Sequence, residues 1–135
     1  MASKSDYAEN KILDHMFNDG TFTAVAAYMA LCTVIPTDAS TGVTITEATY
    51  TGYARLAIAA ADMSAAASGS KTNSAALTFA ACTAGSSTIV GFAICDSPTT
   101  GAGNIHYWGT TTSKVIDTSN TPPTIAVSGL TVTED

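Results

Sequence analysis

The run Ile89-Val90-Gly91-Phe92-Ala93-Ile94 contains no polar side chain. A strand with one wet face would alternate. An unbroken apolar run bounded by turn residues belongs instead at the centre of a sheet covered on both faces. The rest of the chain after Gly20 keeps this character, with short β-type runs separated by stretches rich in Gly, Pro, Ser, Thr and Asn. That spacing predicts strands over residues 24–34, 53–59, 75–79, 87–95, 105–111 (continuing to 116) and 124–133, the last broken or bulged at Gly129. The expected fold class is therefore all-β: an antiparallel β-sandwich or barrel, jelly-roll-like, with one short N-terminal α-helix. Period-2 patterning assigns Ile89, Phe92, Ile94, Leu77, Phe79, Leu56 and Ile58 to its core.

The helix is read over residues 6–18. Asp6 with Glu9 three residues on has the pattern of a capping box, and Gly20 stands where a terminator is expected. Ile12, Leu13, Met16 and Phe17 share one helical face. This apolar stripe must pack on the protein's own sheet or on a neighbouring subunit. The expected organisation is an N-terminal arm and helix over 1–20, followed by a single β-domain over 21–135. A chain of 135 residues fits one domain with one sizeable core. Residues 36–52, which carry Asp38 and Glu47, and residues 59–73 form long loops poor in large apolar groups. A short helix near 59–67 is compatible with its alanines.

Charge narrows the function. The formal net charge is −6, and only 12% of the residues are charged. Nucleic acid and anionic membrane both demand a basic footprint, so neither is an expected partner. A surface built mostly from Thr, Ser and Ala desolvates at lower cost than an ionic one and suits contact with other protein. Cys32, Cys82 and Cys95 are odd in number and far apart. The polar start of the chain has no apolar core of a signal peptide, which implies synthesis in a cytoplasm and reduced, buried thiols.

Chemistry-bearing patterns are sparse. The cysteines lack a CxxC pair, the eleven acidic residues show no D-x-D-x-D-G run, and neither GxxxxGK[ST] nor GxSxG occurs. Gly101, Gly103 and Gly109 read as turn glycines of a hairpin over 96–104. Asp14 and His15 are adjacent on the helix and diverge, so they form no dyad. No catalytic, metal or cofactor site is expected, and no enzyme. The candidate interface residues are Ile12, Leu13, Met16, Phe17, Arg55, Tyr107 and Trp108. Arg55, the only arginine, reads either as a buried, carboxylate-paired group or as an interface anchor. His106, Tyr107 and Trp108 read as a core or interface aromatic cluster, or as a ligand-binding strip that would suit a carbohydrate-binding β-domain. Pro122 and Pro123 stiffen the approach to the last strand.

The segments "NKILDHMF", "AYMALCTVIPTDA", "GYARLAI", "TNSAALTFAACTAG", "IVGFAICD", "GNIHYWGTTT" and "LTVTED" follow one another along the chain. In that order they resemble a family of small tailed-phage virion structural proteins, tail-fibre-like or similar to capsid decoration (cement) proteins. The resemblance spans nearly the whole chain. It implies a β-rich virion component without catalytic residues, and it marks Gly52, Tyr53, Ala54, Arg55, Asn73, Ser74 and residues 130–135 as fold determinants. Two locations follow from it. One is the outer capsid surface, where a homotrimer would clamp the major capsid protein and stabilise the shell. The other is a tail fibre or a tail-tip adaptor.

Overall fold

The computed structural model describes residues 2–21, 23 and 26–134. Its order is β1 (Ala2–Lys4), α1 (Asp6–Met16), β2 (Ala27–Cys32), β3 (Leu56–Ile58), a 3-10 turn (Ala60–Asp62), β4 (Ser70–Thr72), β5 (Leu77–Thr78), β6 (Ser87–Cys95), β7 (Ile105–Ile116), β8 (Thr124–Ile125) and β9 (Thr131–Thr133). Strand far outweighs the single short helix, so the protein is all-β with an N-terminal helix. The form differs from a purely antiparallel sandwich. One curled, seven-stranded mixed sheet runs β3-β2-β6-β7-β1-β9-β4 as a half-barrel, and β5 pairs with β8 in a separate ribbon. The departure from antiparallel pairing is β1 beside β9, where Ala2 faces Val132.

The apolar run does what its composition requires. β6 lies between β2 and β7, and its two faces enter different clusters. Ile89, Phe92 and Ile94 join Met29, Leu31, Leu77, Phe79, Ile116 and Leu130 on the inner face of the curl. Ala93 and Cys95 join Ala30, Cys32 and Ile105 on the other, against Ile45 and Trp108. The second face is built from small side chains, which lets the 36–52 loop lie close on it. Leu56 and Ile58 of the expected core are half-buried at the sheet edge and pack against the inner cluster. Cys32, Cys82 and Cys95 are all free and buried. Burial pushes the Cys32 thiol up to about 12 and the Cys95 thiol up to about 11.

Several boundaries moved for physical reasons. The helix N-cap is Ser5, not Asp6: the Ser5 hydroxyl accepts from the Ala8 N–H at 3.3 Å and donates to the Ile105 carbonyl. Asp6 and Glu9 instead sit in the first turn, where they favour the positive end of the helix dipole. The helix stops at Met16, because Asn18 turns left-handed (φ 61°) ahead of Gly20. The strand expected from residue 24 is seen from Ala27 to Cys32, with Ala24 and Val25 outside the described residues. Only Leu56–Ile58 of residues 53–59 pair as strand. The segment 124–133 is two strands rather than one bulged strand. Ser128 (φ 60°) and Gly129 reverse the chain, so β8 serves the ribbon and β9 the main sheet. A 3-10 turn replaces the short helix near 59–67. Gly101 and Gly103 do sit at positive φ in the hairpin, but Gly109 belongs to β7, opposite Phe92 and Ala2. Finally, β1 pairs with both β7 and β9, so the first residues form an inner strand of the sheet.

Candidate interaction surfaces

Arg55, buried just before β3, joins the 36–52 loop to the hairpin between β6 and β7. Its Nη2 donates to Glu47 Oε1 at 2.8 Å and to the Gly42 carbonyl at 3.0 Å. Its Nη1 donates to the Ser97 and Ala102 carbonyls at 2.8 and 2.9 Å, and Nε donates to Glu47 at 3.2 and 3.3 Å. Each of the five guanidinium N–H groups is therefore used. Glu47 also accepts from Tyr53 Oη at 2.7 Å and from the Gly101 N–H at 3.2 Å. Tyr53 Oη in turn accepts from the Leu31 N–H at 3.1 Å. Burial opposes ionisation of Glu47, but the bonds from Arg55, Tyr53 and Gly101 outweigh it and hold the carboxyl below its ordinary value. Burial and the adjacent Glu47 raise the Tyr53 phenol. The clamp needs close backbones: a Cβ on Gly42 would fall 2.2 Å from the Ala102 carbonyl oxygen. Of the two readings of Arg55, the buried carboxylate pairing is the one seen, with both side chains enclosed.

Tyr107 and Trp108 part company, as alternation along a strand requires. Tyr107 sits opposite Ile94 on the inner face and donates to the Glu134 carboxylate. Trp108 sits opposite Ala93 on the outer face, and its Nε1 donates to Asp38 Oδ1 at 3.0 Å. The two therefore form no continuous strip. His106 is buried edge-on to Tyr7, with ring centroids 5.7 Å apart, and burial lowers its pKa.

The helical stripe does not pack on its own sheet. Ile12 is half-buried, but Leu13, Met16 and Phe17 are 55, 74 and 80% exposed. The helix is held at its N-terminal end by Ser5, Tyr7 and buried Ala8, so its C-terminal turn projects.

A further feature was not read from the sequence. The edge strands β3 and β4 are joined by residues 59–69, and an apolar cavity of about 800 Å³ lies beneath that connection. Ile58, Met63, Ile94, Tyr107, Leu130 and Val132 line it, and Lys71 and Glu134 supply its polar groups. The signal available was the lack of bulky residues from 59 to 73. Alanine and glycine on one wall leave space that larger side chains would fill. Buried Asn73 fixes the lining Leu130 from behind, donating to the Ala75 and Ala126 carbonyls and accepting from the Leu130 N–H, each at 2.8 Å.

Among the described residues no group of three or more His, Cys, Asp or Glu is placed to hold a metal ion. What the protein offers is a rigid β-frame, a projecting apolar helix end and an apolar cavity. No curated protein matches the chain. The family model described as podophage GP4 fiber I protein gp80 matches residues 3–133, nearly the full length and every segment quoted above except the last two residues of LTVTED. The chain belongs to this family of fibre-type structural proteins of the phage virion.

Proposed function

We propose that this protein is a non-enzymatic building block of a podophage tail fibre, assembled from copies of itself, rather than a cement protein on the capsid. The family match over residues 3–133 carries the reading, since the family is described as a fibre protein. The exposed Leu13, Met16 and Phe17 support it: large apolar groups clustered at one helix end suit burial against another protein. The closed Arg55 clamp supports the non-enzymatic part, because its donors are spent on backbone and Glu47.

Electron cryo-microscopy of virions carrying an antibody fragment against the protein tests the location. Label on fibres is the expected result. Label spread over the shell, together with heat-sensitive particles when the protein is lacking, would reinstate the cement reading, with the major capsid protein as partner.

A further inference from the structure

Two apolar features lack a partner among the described residues. One is a knob, the C-terminal turn of α1 with Leu13, Met16 and Phe17. The other is a socket, the cavity walled by Ile58, Met63, Ile94, Tyr107, Leu130 and Val132. An apolar hollow of about 800 Å³ that is partly open to its surroundings has room for apolar side chains from another molecule. We infer that the socket receives the α1 knob of a second copy.

Shape and polarity agree. The lining is apolar and holds few hydrogen-bonding groups, which suits aliphatic and aromatic side chains and not a sugar or a nucleotide. Charge agrees as well. Asp14 and Asp19 flank the knob, and the helix C-terminus is itself the negative end of a dipole. Lys71 stands exposed at the socket and makes no ion pair among the described residues. Glu134 at the socket is paired with Lys4, so Lys71 gives that surface its net positive charge, while Asp14 and Asp19 outnumber Lys11 along the knob, and the two surfaces are opposite in sign. The knob also remains outside its own sheet because Ser5, Tyr7 and Ala8 pin the other end of the helix.

Each copy then gives a knob and accepts one. Such a head-to-tail contact closes into a ring or extends into a filament. The inference rests on the self-assembly part of the proposed function and names its surfaces. Label on fibres with a monomeric chain would leave the location standing and this inference fallen.

The test uses the full chain in three variants. Leu13→Ser/Met16→Ser/Phe17→Ser removes the knob. Ala66→Trp fills the socket from its loop wall, and Lys71→Glu weakens the socket without changing its volume. Sedimentation velocity should show the natural chain associating, and each variant weakened at least about tenfold. The decisive step is mixing. The knob-less and socket-filled variants, neither of which self-associates, should pair one to one, because one retains the socket and the other the knob. Circular dichroism checks that each is folded, and Lys71→Glu replaces Ala66→Trp if the latter is not. A natural chain that remains monomeric, variants that assemble like it, or a mixture that fails to pair would overturn the inference. So would native mass spectra showing the socket of a monomer filled by a small apolar molecule.

Discussion

The Arg55 clamp and the socket solve the same problem in opposite ways. At the clamp, two long loops with few apolar residues are fixed by one guanidinium that satisfies four backbone and side-chain acceptor groups from residues 42, 47, 97 and 102. At the socket, the 59–69 connection spans a space it does not fill, and the helix end carries apolar groups it leaves exposed. Buried polar groups demand specific partners and so finish a structure within one chain. Apolar surface is indifferent to whose atoms cover it and can wait for a second copy. The clamp fixes the chain's own loops, and the socket and helix end leave apolar surface uncovered among the described residues.

The sharpest way to break this contrast is Arg55→Ala. It leaves the Glu47 carboxylate buried without its cation and the Gly42, Ser97 and Ala102 carbonyls without their side-chain donor, so we expect a loss of about 3–5 kcal/mol. Urea denaturation measures it. A loss below about 1 kcal/mol would show that the loops are fixed by something else. Asn73→Ala, behind the cavity-lining Leu130, comes next. It strands the Ala75 carbonyl and the Leu130 N–H, while the Ala126 carbonyl keeps the Gly129 N–H, and this should cost about 1–3 kcal/mol. An effect equal to that of Arg55→Ala would mean that the wall of the cavity is as tightly determined as the clamp.

Acid sharpens the comparison further. Because the folded Glu47 pKa is depressed, its contribution is fully present above the ordinary value of 4.5 and is lost as pH falls through the lower folded value. Thermal melts from pH 7 to pH 3 should therefore fall in the acid range. In Glu47→Gln they should start lower and fall less steeply. Equal slopes would remove Glu47 as the source. The smallest effect belongs to the helix end: Phe17→Ser should change the stability of the isolated chain by no more than about 0.5 kcal/mol. A larger loss would place Phe17 inside its own fold and remove it from the docking surface.

Much of the frame was legible because periodicity reports burial directly. Residues 87–95 were bounded correctly as β6, since an apolar run with both faces covered has one natural place in a sheet. The free buried cysteines and the helix followed from local chemistry in the same way. The helix cap was read one residue late because Ser5 caps through a tertiary partner as well, the Ile105 carbonyl, which no local pattern contains.

Sequence by itself determined the class of the fold, the central strand, the helix and the poverty of catalytic motifs, for these depend on side chains near one another along the chain. Tertiary structure alone decided the rest. Ala2–Lys4 is a strand because β7 and β9 flank it, and three residues have no strand signal of their own. Residues 124–133 divide between two sheets because their partners lie in different places. Arg55 is a clamp because Glu47 and three carbonyls from separate loops meet around it. The socket exists because two edges of a curled sheet are bridged by small residues. In each case the deciding atoms are distant in sequence, and only chain folding brings them within the few ångströms over which hydrogen bonds and packing act.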